Sequence, residues 1–238
     1  MNITSEILLS TWLPFVVAAL IQASFGLGVS MLTLLSGHAL YKKQSHIRLL
    51  NLSTKYVVGA FFATYAILAG AVYLFSIENA VDQRLVWSVI VGVAAGVGVA
   101  ITLFYYRHSG GTALWMPRNM AELLYKRTKK TKNSFEALLL GIGSIIAELI
   151  FIIAPILVAG ILLAGEPSWA QLGGTILYAS IATLPMIVLT VLIAGGHKVS
   201  RLQAWREKNK TFLQVTSGGA LIVLAAYLFV YHVLGVTF

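Results

Sequence analysis

Six stretches of this chain stay apolar long enough to cross a membrane, and that leaves few folds open. They cover residues 7–35, 49–75, 85–106, 135–165, 173–195 and 212–234. A helix needs about 20 mostly apolar residues to span a bilayer. In hydrocarbon every backbone polar group must be satisfied from within, so isolated runs of this kind become helices. The expected fold is an all-α integral membrane protein with six transmembrane helices. The chain is 58% hydrophobic and 11% charged over 238 residues, which leaves almost no mass outside the spans.

That economy excludes several functions. There is no room for a nucleotide-binding domain, and no G-x-x-x-x-G-K-[ST] loop occurs. Energy would come from a gradient or a partner subunit. The chain contains 0 cysteines, which removes thiol nucleophiles, thiolate metal sites and disulfide exchange. The N-terminus lacks a basic n-region and opens into a span, so no cleavable signal peptide is expected. No cofactor is expected.

Charge placement gives the orientation. Of the 17 Lys and Arg residues, all but Lys55 and Arg84 lie in three alternate loops. Lys42, Lys43 and Arg48 are in the first, Arg107 to Lys132 in the third and Lys198 to Lys210 in the fifth. The opposite side carries Glu6, Glu78, Asp82 and Glu166. By the positive-inside bias both termini lie outside, as in a multi-pass protein of a prokaryotic inner membrane. The net charge of +9 therefore reports topology and needs no nucleic-acid partner. The long third loop also has an amphipathic stretch, 114–126, suited to the membrane surface, and its cluster from Lys126 to Lys132 could attract anionic lipid. Foremost, that loop is the topology anchor.

Two spans look discontinuous. The first carries Pro14, Gly26 and Gly28, and the fourth carries Pro155. Breaks at matching places in two halves point to a transport site. A nearly constant register supports such halves: Phe25 matches Phe151 and Gln22 matches Glu148 at an offset of 126, and Gly59 falls on Pro185, a second pair of weak points. The division is a three-helix repeat over 1–106, a basic linker over 107–134 and an inverted repeat over 135–238.

Glu148 is the only acidic residue deep within a span. A carboxylate at that depth costs several kcal/mol unless neutralised, paired or hydrated, so it marks a functional site by default. Burial disfavours the ionised form of a carboxyl, which suits a group that exchanges a proton for a cation. Gln22 would face it across the repeat interface, with Ser24 and Ser144 as lesser members, unless their hydroxyls only bond their own helices. Lys55 either snorkels to the basic surface or pairs with Glu148. His38, His46 and His197 share one side and are weak candidates for a soft metal, but they lack ligand spacing. Gly92, Gly96 and Gly98, with Gly141, Gly143, Gly218 and Gly219, offer small faces for close helix packing.

The stretch Phe25–Gly37, the basic loop after it and Tyr56-Val-Val-Gly59 resemble the first half of lysine-exporter superfamily proteins. That superfamily is taken to include the CcdA/DsbD transmembrane domains. The resemblance implies six helices in two repeats and export of a small solute. CcdA-type proteins have a reactive cysteine beside proline in helices one and four; here Gly28 and Pro155 mark those places and no cysteine is present, so thiol electron relay does not carry over. The leading expectation is a proton-coupled exporter of a small, cationic or amphiphilic solute, working among membrane lipids, with a homodimer left open. The alternatives are a non-transporting scaffold that docks through the basic loop, and a membrane-embedded lipid-processing enzyme using Glu148 with a histidine.

Overall fold

The computed structural model describes residues 8–25, 27–41, 46–77, 83–104, 133–195, 204–205 and 208–235. All regular structure among them is helical. Six helices are long and apolar enough to cross a membrane: Ser10–Leu35, Ile47–Ile77, Gln83–Phe104, Ser134–Ala164, Ser168–Ala194 and Thr211–Val233. The chain is thus a multi-pass membrane protein. The expected linker, 107–134, falls outside the described residues apart from Asn133 and Ser134.

The first span has two parts. A π-helical turn, Leu8–Trp12, leads into α1, Leu13–Ser24, with Pro14 in its first turn, where a missing N–H does no harm. Phe25 is then extended (φ −69°, ψ 149°), and helix resumes as α2, Leu27–Tyr41. The remaining spans are α3 (His46–Ile77), α4 (Gln83–Phe104), α5 (Ser134–Ala164), α6 (Ser168–Ala194) and α7 (Lys210–Leu228), which ends in a π-helical turn, Phe229–Val233.

Two expectations change here. The break expected at Pro155 does not occur, because α5 runs as one helix through it, and α6 likewise runs through Pro185. Each proline removes one i→i−4 donor, a loss that packed neighbours can absorb within a helix bundle. Pro155 lies among buried residues before and after it, from Phe151 to Gly160. The fifth span also starts at Ser168, not Gly173, because Pro167 takes the N-cap position and Gly173 and Gly174 are helical.

Burial ranks the helices. The first and fourth spans are 62% and 67% buried over their most apolar windows, against 33% or 39% for the other four. They form the centre of the bundle. The second span packs chiefly on the fourth and next on the fifth, and the third packs on the sixth. The first touches the second, fourth, fifth and sixth, and the fourth also meets the third and fifth.

Glycine sets the closest approaches. A Cβ on Gly59 would fall on the Leu138 carbonyl oxygen, and one on Gly141 would fall on that of Tyr56, so α3 and α5 meet nearly backbone to backbone. Gly98 and Gly218 do the same for α4 and α7, where a Gly218 Cβ would lie 2.7 Å from the Gly98 carbonyl oxygen. The small face expected along the third span reduces to Gly98, since nothing lies within 4 Å of a Cβ at Gly92 or Gly96. Gly59→Ala and Gly141→Ala should each destabilise the protein by about 1–3 kcal/mol through overpacking. Gly96→Ala should be neutral or stabilising by up to about 1 kcal/mol. Unfolding titrations in detergent read all three, and equal effects at the three positions would contradict this packing.

Candidate functional site

Around the interruption at Phe25, side chains of the second, fifth and sixth spans bond to the first, and Glu148 of the fourth lies near the Tyr56 hydroxyl. Glu148 lies on α5 and is 4% exposed. Helical spacing puts Gly141, Ser144 and Glu148 on one stripe of α5, and all three are buried. The α3 face packed on α5 carries Ser53, Tyr56, Ala60 and Thr64 at i, i+3, i+7 and i+11, each 0% exposed. The Tyr56 hydroxyl donates to the Gly28 carbonyl of α2 at 3.0 Å. The same hydroxyl is within hydrogen-bonding range of the Ser144 side chain and within electrostatic reach of Glu148. Tyr56 thus ties the restart of the first span to the second, with its hydroxyl near Ser144 and Glu148 of the fourth.

On the other side of Phe25 a second tyrosine acts. Tyr178 of α6 is fully buried and donates to Gln22 Oε1 at 2.8 Å. The Phe15 ring braces it at 5.6 Å between centroids. Ser24, the last residue of α1, shares a 2.7 Å hydroxyl contact with Ser217 of α7. The end of α1 is therefore held from two directions, and Phe25 N–H closes the turn on the Gln22 carbonyl at 3.1 Å.

The structure places the expected residues as follows. Glu148, Gln22, Ser24 and Ser144 all lie at this polar belt, but the side-chain partner of Gln22 is Tyr178 rather than Glu148. The Ser144 hydroxyl donates to the Gly141 carbonyl at 2.7 Å, the back-bond common in helices. Lys55 is exposed and does not share the buried face of Tyr56, so it does not join the site. Glu136, at the edge of the fourth span, is exposed and reaches back to the Asn133 N–H at 3.5 Å. Gly28 is buried, with the Met186 side chain where its Cβ would be. Gly26, His197 and the side chains of His38 and His46 lie outside the described residues. Among the described residues no group of three or more His, Cys, Asp or Glu could hold a metal.

Sequence reasoning missed Tyr56, Tyr178 and Ser217. It also missed the stack of His232 on Trp87, with ring centroids 3.8 Å apart and planes nearly parallel, which ties the sixth span to the third. That imidazole engages the Ser10 backbone, while its Nε2 is buried without a hydrogen-bond partner. An open cleft of about 250 Å³ between α3 and α6 is lined by Tyr65, Val72, Ser76, Gln171 and Thr175 among others. It lies beyond the Tyr178 level, toward the ends of these helices that carry Ser76 and Ser168.

No protein family, curated protein or solved structure matches the chain. The site therefore stands on its geometry alone. Ser24→Ala and Ser217→Ala should each lower stability by about 0.5–1.5 kcal/mol. In a double-mutant cycle the pair should couple by about 0.6 kcal/mol, the usual scale for polar contacts between membrane helices. Strict additivity would mean that the two hydroxyls do not act on one another.

Proposed function

We propose that the chain is a secondary transporter that exports a small cationic solute by alternating access, with Glu148 as the proton-coupling carboxyl. The observation that carries this reading is the burial of Glu148 at the level where the first span leaves helix. A buried carboxyl can hold a proton or a cation in turn, but not both, and that exclusivity is what couples their movement. The Tyr56 hydroxyl lies near Glu148, Ser144 is one turn before it on the same buried stripe of α5, and the other polar side chains around the interruption, Gln22, Tyr178, Ser24 and Ser217, are amides and hydroxyls. No described lysine or arginine is buried there. Such a lining favours a cation with hydrogen-bond donors over an anion. The hydroxyls of Ser53 and Thr64, buried without protein partners on the Tyr56 face, add acceptors along the same helix.

The helix contacts support two inverted halves. Exchange of the first span with the fourth, the second with the fifth and the third with the sixth maps the set of neighbouring helices onto itself. The burial order obeys the same exchange, since the two central spans are partners under it. Transporters built this way place the site between the halves, where an interrupted helix gives access to backbone groups. On this reading the interruption at Phe25 belongs to the transport site and Pro155 marks its counterpart, kept helical. The positive loops set the termini outside a prokaryotic inner membrane. The reading agrees with the export branch of the lysine-exporter resemblance and uses no thiol chemistry.

The test is proton flux in proteoliposomes that contain a pH-sensitive dye, challenged with a panel of inorganic monovalent cations and small primary amines. At least one cation should drive proton movement through the wild type. Glu148→Gln should abolish it, and Glu148→Asp should retain a fraction. Cation-driven flux that survives in Glu148→Gln at every pH would refute Glu148 as the coupling group.

A further inference from the structure

We infer that Tyr56 and Tyr178 are the two gate latches of this transporter, each holding closed one side of the membrane. The inference rests on the transport reading and adds residues and a sidedness to it. Four observations carry it.

First, both hydroxyls donate to the first span, on either side of its interruption. Tyr178 bonds Gln22, three residues before Phe25, and Tyr56 bonds Gly28, three residues after it. Second, both tyrosines are 0% exposed, so each of these hydroxyls satisfies itself across a helix interface and not in solvent. Third, their depths match from opposite ends. Tyr56 lies ten residues into α3 from His46, and Tyr178 ten residues into α6 from Ser168. Each is about 15 Å along its helix. The second and fifth of six crossing helices run in opposite directions, so the tyrosines guard opposite sides. Fourth, the cleft between α3 and α6 runs down α6 from Ser168 to Thr175, one turn short of Tyr178.

The topology set by the basic loops makes Tyr178 the outer latch and Tyr56 the inner one. Release of Tyr178 from Gln22 frees α1 from α6 and extends the cleft toward the interruption. Release of Tyr56 from Gly28 frees α2 from α3 and exposes Ser144 and Glu148 toward the basic side. The inner latch sits beside the coupling carboxyl, so the charge on Glu148 bears on it directly. The outer latch has an uncharged amide as its partner and is set by the first span alone.

The chain has 0 cysteines, so one introduced cysteine is the sole target of a thiol reagent. Ala23→Cys, half-buried beside the interruption, serves as the reporter. The measurement is its labelling rate with a membrane-impermeant maleimide, applied to the outside of right-side-out vesicles and, separately, of inverted ones. Tyr178→Phe should raise labelling from outside and lower it from inside, each by roughly three- to tenfold, the scale of one lost hydrogen bond. Tyr56→Phe should do the reverse. Gln22→Leu removes the acceptor of the outer latch and should reproduce Tyr178→Phe, and the double variant should show no further change. It also carries the outer arm should Tyr178→Phe fail to fold. Shifts in the same direction for both tyrosines, or no shift in either, would overturn the inference. The readout needs no solute. Failure of cation-driven flux with opposed labelling shifts would reject the transport reading and leave the gates standing, and the converse would reject the gates alone.

Discussion

A carboxyl inside a bundle of apolar helices has to be satisfied by the protein, since hydrocarbon offers it nothing. Much of the polar chemistry in this core follows from that. Glu148 sits on the most buried span, and the groups near it come from helices that glycine lets approach closely. Gly59 and Gly141 bring α3 against α5, and this contact delivers the Tyr56 hydroxyl to Ser144 and to the neighbourhood of Glu148. Remove the close approach and the tyrosine no longer reaches. The packing and the chemistry of the site are the same contact described at two scales.

The interruption at Phe25 obeys the same rule. A chain that leaves helix within a membrane span exposes backbone groups that need partners. Here the Phe25 N–H bonds the Gln22 carbonyl and the Tyr56 hydroxyl bonds the Gly28 carbonyl, while Tyr178 and Ser217 hold the neighbouring side chains of Gln22 and Ser24. Each of the bonds from Tyr56, Tyr178 and Ser217 is a hydroxyl bond worth about 1 kcal/mol net, and none is an ion pair. An irregular segment tied by several modest bonds can shift between two arrangements without the loss of a single large interaction. That property suits a moving part better than a rigid scaffold. The first and fourth spans, the two central ones, differ in this: one is interrupted and held by neighbours, while the other runs helical through Pro155.

The number of spans, their approximate limits and the burial of Glu148 were legible in the sequence because each is a local property. Apolar length gives the spans, and a lone acid in a long apolar run stands out by itself. The extra turn at the start of the fifth span was misread because Gly173-Gly174 looks like a boundary, whereas Pro167 is the residue that sets it. Pro155 was misread as a break because sequence shows the missing donor but not the packed neighbours around it. Tyr56 and Tyr178 could not be found by inspection of either residue, because a tyrosine in an apolar run also suits a plain core or interface position. What marks Tyr178 is a partner 156 residues away, and that depends on how two helices are set side by side. One trace was present. The two tyrosines are offset by 122 residues, one helical turn short of the 126 that relates Gln22 to Glu148, so a repeat comparison tolerant of a turn would have paired them.

The central claim is that Glu148 is buried yet working, a carboxyl that gains and loses a proton within the membrane. Infrared difference spectroscopy of the reconstituted protein tests this most directly, with the protonated carboxyl stretch assigned by its loss in Glu148→Gln. The account predicts that this band shifts in deuterated water and changes intensity when pH or a transported cation is varied. A Glu148 band that neither exchanges nor responds to either would contradict it, and would make the residue a sealed structural group.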